Sequence, residues 1–174
     1  MLLRIKNWRK NKYIALSMDV LLLVLIMLSI SWWQNRGSLS AEGQVAPVFT
    51  LPALNGTTYS LEDYHGQQVL VYFFAPWCSI CRLSADNLND LRVARDEDDL
   101  MIMMVALSYE DKTEVEQFVQ DLDLTVPVLY GTEKQLQDYQ IMGFPTYYVI
   151  NELGQLSAKS MGYSTELGMR VRTW

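Results

Sequence analysis

Cysteine and histidine are nearly missing from this chain: 174 residues hold two cysteines and one histidine. Two cysteines exclude a disulfide-rich scaffold. A structural zinc site needs about four ligands, and Cys78, Cys81 and His65 do not supply them. A covalently attached haem needs a histidine directly after the second cysteine, where Arg82 stands. A bridge between residues 78 and 81 would close so short a loop that it would restrain little of the unfolded chain. The spacing therefore points to a redox switch. Low-complexity tracts and internal repeats are also lacking, and with half the residues hydrophobic and a fifth charged the bulk reads as one globular domain.

Basic charge is scarce beyond the N-terminus. Residues 1–36 carry Arg4, Lys6, Arg9, Lys10, Lys12 and Arg36 against Asp19, a net +5, so the rest must carry −11 to give the overall −6. An acidic domain without a basic stripe is not a nucleic-acid binder. The basic head, 1–12, instead precedes Tyr13–Trp33, an apolar stretch long enough to cross ~30 Å of hydrocarbon as a helix. Its centre, Val20–Leu28, is uncharged, and Trp32 and Trp33 end it as interfacial anchors do. The positive-inside rule then leaves the N-terminus in the cytoplasm and the domain outside. A cleaved signal peptide is one rival reading: Ser31-Trp32-Trp33-Gln34-Asn35-Arg36 is a poor cleavage site and Leu39-Ser40-Ala41 a weak one; a buried core helix is the other, and the flanking charge argues against it. Asp19 sits near the cytoplasmic end, within reach of headgroups. Small polar residues at 34–46 read as a tether, and the folded domain is expected over 47–174.

Within that domain, 48–51 and 54–61 read as short strands about an Asn-Gly turn. A helical turn capped by Ser60 follows. Val69–Phe74 and Leu100–Leu107 are continuous apolar runs, the pattern of strands buried on both faces. The spacing predicts a helix over 79–95 with Leu83, Leu88 and Leu91 as its apolar stripe. Helices over 112–123 and 133–139, strands over 126–130, 146–150 and 155–161, and a last short helix over 165–174 complete the domain. Alternating strands and helices predict an α/β fold, a mainly parallel sheet covered on both faces with an antiparallel edge.

Cys78-Ser79-Ile80-Cys81 falls where a buried strand ends and a helix begins. Unpaired amides and the positive end of the helix dipole there favour thiolate over thiol. Cys78 is the expected exposed nucleophile, and Cys81, one turn along, the buried resolving thiol.

The stretch Val71-Tyr72-Phe73-Phe74-Ala75-Pro76-Trp77-Cys78-Ser79-Ile80-Cys81-Arg82 resembles the thioredoxin-family active site, and Gly143-Phe144-Pro145-Thr146 resembles that family's cis-proline loop. Pro47–Pro52 with its hairpin is similar to the start of the extracytoplasmic TlpA/ResA branch. The paired tryptophans, the strand at 105–107 and the tail at 168–174 resemble the suppressor-of-copper-sensitivity D (ScsD) type within it. The resemblance spans 45–174. It implies a thioredoxin-like fold, a central mixed sheet flanked by helices, with an N-terminal β-hairpin extension and one preceding transmembrane helix. It implies attack by Cys78, resolution by Cys81, a cis Pro145 presenting the Phe144 backbone to an extended substrate, and Trp77 packed beside the site. No cofactor beyond the Cys78–Cys81 disulfide is implied. The implied partners are protein dithiols and disulfides and a membrane thiol carrier that donates electrons, at the outer face of a bacterial inner membrane.

The sequence departs from the family at two places: Tyr72 stands where thioredoxin has a buried aspartate, and Ser84 where TlpA-type reductases have a glutamate. Glu110 matches a further acidic position near the site and is the candidate for tuning the pair. Two other functions fit the cysteines. A thiol peroxidase would need a threonine or serine shortly before its cysteine, where Ala75-Pro76-Trp77 stand. A module that captures copper or a partner through the dithiol would draw on Met101, Met103 and Met104, which alternation and ordinary core filling also explain.

Overall fold

The computed structural model describes residues 12–35 and 43–174, so all but the last residue of the basic head (1–12) and residues 36–42 of the tether (34–46) lie outside the described residues. The chain divides into two units, Met1–Ser38 and Leu39–Trp174.

In the first unit, Lys12–Asn35 is one 24-residue helix, α1. Its leucines and neighbours from Leu16 to Met27 are exposed within their own unit. Among the described residues no helix is long and apolar enough to cross a membrane.

The second unit is built on a five-stranded sheet. In chain order its elements are β1 (Thr50–Pro52), β2 (Thr58–Ser60), a 3-10 turn (Leu61–Tyr64), β3 (Gln68–Phe74), α2 (Ser79–Ala94), β4 (Leu100–Ala106), α3 (Lys112–Asp121), β5 (Val128–Tyr130), α4 (Glu133–Asp138), β6 (Thr146–Ile150), β7 (Leu156–Met161) and α5 (Glu166–Arg172). The sheet order is β5-β4-β3-β6-β7. β3 pairs parallel with β4 and β4 with β5, whereas β6 runs antiparallel to both β3 and β7. The sheet is thus evenly mixed rather than mainly parallel. Strand direction depends on how the chain returns after α4, and hydrophobic pattern carries no record of that.

β3 and β4 are buried almost throughout. Because side chains alternate across a strand, β3 feeds two cores. Leu70, Tyr72 and Phe74 face α2, α3 and α5, joined by Cys81, Ala85, Leu88, Leu91, Val115, Phe118 and Met169. Val69, Val71 and Phe73 face the other way, toward Phe49, Leu51, Leu61, Tyr139 and Tyr148. Full burial of each large apolar side chain stabilises by ~1.5–3 kcal/mol. Met101 and Met103 enter the second core and Met104 the first, all fully buried, so all three act as packing.

Three local expectations change. Leu83 is exposed, and the core face of α2 runs Cys81, Ser84, Ala85, Leu88, Leu91. The side chain of Ser60 makes no capping hydrogen bond to the 3-10 turn. Residues 43–46 pair with the turn before β7: Gly43 N donates to Leu156 O (3.1 Å), Leu156 N to Gln44 O (2.8 Å) and Ala46 N to Gly154 O (2.9 Å). The β1–β2 hairpin closes with Ala53 N donating to Thr57 O (2.8 Å), and Gly56 takes the φ of 81° its turn requires. The hairpin is fastened to β5 by Leu54 N donating to Val128 O (2.8 Å).

Candidate active site

β3 occupies the middle of the sheet and ends at Phe74, so the turn Ala75-Pro76-Trp77 places Cys78 at the start of α2. Cys78 is the N-cap. Its backbone is extended, and its sulfur accepts a hydrogen bond from Cys81 N at 3.1 Å. An N-cap side chain normally satisfies one of the first free amides with oxygen; here sulfur does so, and the same amide favours negative charge on it. Cys78 and Cys81 form a disulfide with Cα atoms 5.2 Å apart. Cys78 retains 7% exposure and Cys81 none, so a partner can reach only the first sulfur.

Trp77 is two-thirds exposed, and both ends of its indole are held. Its Nε1 donates to Ser108 O at 2.8 Å, and its ring meets Phe144 edge-on at 5.9 Å. Trp77 thereby joins the cysteine turn to the loops after β4 and before β6. The Phe144–Pro145 peptide bond is cis. That loop is tied down by Thr146 Oγ1 donating to Gly143 O (2.8 Å) and by Gly162 N donating to Pro145 O (2.8 Å). Trp77 and Phe144 thus meet in space, and Glu110 lines a cavity of about 480 Å³ with Pro76, Trp77, Arg82, Ser108 and Glu114. Glu110 is exposed, and its backbone N–H is directed at Glu114 Oε2 (3.5 Å). Arg82 pairs with Asp121 at 3.0 Å and lies over the Phe118 ring. His65 is exposed, with its ring against Gly154.

Behind the disulfide, sequence reasoning missed a polar network. Ser84 is fully buried, and its Oγ donates to Ser164 O (3.2 Å) while accepting from Ser164 N (3.4 Å). Asn87 Nδ2 donates to the same carbonyl (3.2 Å), and Asn87 Oδ1 accepts from Glu166 N (3.2 Å). This network fixes α2 to the segment leading into α5. Tyr72, on β3, is fully buried; its hydroxyl makes no well-formed hydrogen bond, and Ser84 is the polar side chain that reaches it. Burial pushes its phenol well above the ordinary tyrosine range, and Ser84 offsets this only in part. The signal for both lay in the sequence as polar atoms on otherwise apolar faces, but which atoms find partners is a three-dimensional matter.

Among the described residues no group of three or more histidine, cysteine, aspartate or glutamate side chains is arranged to hold a metal ion.

The chain matches the AhpC/TSA family over residues 43–159. It is 34% identical over 133 residues to the thioredoxin-like protein YneN of Bacillus subtilis strain 168, covering 75% of this chain and 78% of that one. To the thiol-disulfide oxidoreductase ResA of Oceanobacillus iheyensis it is 30% identical over 166 residues, covering 90% of this chain and 85% of the relative. The crystal structure of StoA from Bacillus subtilis is similar with a TM-score of 0.67 at 24% identity, over 75% of this chain and 98% of that one, a likeness of fold.

Proposed function

This chain belongs to the AhpC/TSA family and is a thiol–disulfide oxidoreductase of thioredoxin-like fold, and we propose that it works as a membrane-anchored, extracytoplasmic reductase of protein disulfides. The observation that carries the proposal is the asymmetry of the pair: Cys78 caps α2, accepting the Cys81 amide, and although it is buried rather than exposed as expected it keeps 7% of its surface open, while Cys81 keeps none. In the working direction the Cys78 thiolate attacks a substrate disulfide and forms a mixed disulfide, releasing one substrate sulfur as thiolate. Cys81 then attacks Cys78 Sγ, the second substrate sulfur leaves as thiolate, and the Cys78–Cys81 disulfide remains. Two electrons have passed to the substrate, and a membrane thiol carrier returns them.

Trp77, Phe144 and Pro145 form the docking rim, with the Phe144 backbone pairing an extended substrate segment beside Cys78. Glu110, which lines the same cavity as Trp77, is the carboxylate proposed to tune the pair. The anchoring reading draws its support from the 24-residue helix over Lys12–Asn35, its outward apolar side chains and the basic residues before it. It divides the chain into a cytoplasmic head (1–12), an anchor (13–33), a tether (34–46) and a catalytic domain (47–174) at the outer face of a bacterial inner membrane. The ScsD-like tail and tryptophans support that subtype.

The test is the redox potential and insulin-reduction activity of the full chain in detergent, with Cys78→Ser as control. A potential near ~−270 mV, with activity lost in the variant, supports the reductase. A potential near ~−120 mV assigns the oxidising direction instead. Peroxide-dependent turnover would move the reading to a thiol peroxidase.

A further inference from the structure

Among the described residues three that are not glycine take a left-handed backbone: Ser108 (φ 52°), Asp123 (φ 45°) and Gln140 (φ 48°). Such a conformation is uncommon outside glycine and costs free energy. Two of the three have an ordinary cause. Asp123 and Gln140 follow the ends of α3 and α4, where a left-handed residue lets the next amides reach back to free carbonyls. Asp123 N donates to Gln120 O (3.3 Å) and Leu124 N to Val119 O (3.2 Å). Gln140 N donates to Gln137 O (3.1 Å) and Ile141 N to Leu136 O (2.9 Å). Ser108 follows a strand, β4, and ends no helix.

The chain on both sides of Ser108 is pinned. Before it, Leu107 N donates to Phe74 O at the end of β3 (2.8 Å). After it, Tyr109 Oη donates to Gly131 O (3.1 Å), and Asp111 caps α3. The Ser108 side chain is exposed, and it is the backbone carbonyl that is used: it accepts from Trp77 Nε1 at 2.8 Å. That carbonyl lies beyond the φ bond. With Leu107 held, an extended or right-handed Ser108 would swing it away from the indole. Trp77 is two-thirds exposed, and its ring meets Phe144 edge-on. An exposed aromatic ring docks a partner at less ordering cost when it is held in place beforehand.

We propose that Ser108 is a positioning residue for substrate docking: its left-handed backbone aims the carbonyl that holds the Trp77 indole in the rim beside Cys78. Ser108 acts through Trp77, and it does so with its backbone rather than its hydroxyl. A residue that resists the left-handed region loosens the ring, and glycine, which enters that region freely, does not.

The inference rests on the docking role proposed above for Trp77, and one set of measurements separates the two. Compare the full chain in detergent as wild type, Ser108→Val, Ser108→Gly and Asp123→Val. Follow the Trp77 indole N–H by NMR, assigned by its loss in Trp77→Phe, and measure KM and kcat for insulin reduction with dithiothreitol as the reductant. In Ser108→Val the N–H signal is expected to move and to exchange faster with water. Its KM is expected to rise about three- to tenfold, the range that one lost hydrogen bond gives, with kcat held. Ser108→Gly is expected to restore the wild-type signal and KM. Asp123→Val places the same backbone strain at the end of α3, and it is expected to lower thermal stability as much while the N–H signal and KM stay put. A wild-type KM in Ser108→Val, or an equal rise of KM in Asp123→Val, overturns the role of Ser108. If Ser108→Val does not fold, the wild type decides: slow exchange of the Trp77 N–H supports the role, and exchange as fast as in free tryptophan overturns it. A wild type that reduces no insulin overturns the reductase reading instead, and the N–H comparison still decides whether Ser108 holds Trp77.

Discussion

The two faces of the central sheet both bury tyrosines, and they differ in how firmly the hydroxyls are held. On the face remote from the cysteines, Tyr139 donates to Pro47 O at 2.7 Å and Tyr148 donates to Tyr139 O at 2.8 Å, with the two rings and that of Phe73 packed against one another. That arrangement is fully partnered and ties the N-terminal extension to the sheet. On the cysteine face Tyr147 accepts from Arg172 at 3.2 Å, while Tyr72 is just as deeply buried and has only Ser84 near its hydroxyl, without a well-formed hydrogen bond. A complete set of hydrogen bonds marks a region whose task is to hold shape, and the core that Cys81 shares keeps one buried hydroxyl more loosely held.

The contrast can be broken most forcefully at the sulfurs. Cys81→Ser leaves Cys78 free to attack but removes resolution, so insulin reduction should fall to background while mixed disulfides with substrate accumulate. Trapping them on non-reducing gels is the check, and retained steady turnover would contradict the assignment. A purely structural change comes next in size. Phe73→Ala opens a hole on the remote face and should cost ~3–5 kcal/mol of stability in denaturant titrations, with the redox potential of the folded fraction unmoved.

A smaller effect is expected at Tyr139. Removing its hydroxyl deprives the Pro47 carbonyl of its donor and should cost ~0.5–1.5 kcal/mol in denaturant titrations. Burial, followed by the nearby Tyr148 and Asp138, raises the Tyr139 phenol far above its ordinary value of 10. A raised acid stays protonated in the folded state, so its stabilisation is complete below pH 10. It is lost as pH rises past 10, where the unfolded chain gives up the proton first. Tyr139→Phe should therefore flatten the alkaline fall of stability by up to ~1.4 kcal/mol per pH unit.

The smallest effect lies outside both faces. Asp111 caps α3 by accepting from Thr113 N (3.0 Å), and this hydrogen bond holds its carboxyl below the usual value. A depressed carboxyl stabilises above pH ~4 and stops doing so as pH falls through its folded value. Asp111→Asn should match the wild type in acid and differ slightly at neutral pH, as followed by circular dichroism.

The strands were legible because Val69–Phe74 and Leu100–Leu107 are apolar without interruption, which leaves burial on two faces as the simplest reading. The cysteine pair was legible through its place between a strand and a helix. Leu83 misled because the core-facing positions of α2 are taken by Cys81, Ser84 and Ala85, small residues that leave little hydrophobic signal, while the largest side chain nearby points to solvent. Ser84 read as a missing glutamate when in fact it anchors α2 to Ser164. The reach of Trp77 to the Ser108 carbonyl joins residues 31 apart and depends on where the loop after β4 passes.

The N-terminal extension is fastened at both borders of the sheet, by residues 43–46 at the turn before β7 and by Leu54 at β5. A mechanical pull arriving at Gly43 would load the first of these fastenings in shear and would have to strip it before any force reached β3. The domain can be tugged by whatever holds its leading end while the geometry at Cys78 stays unloaded.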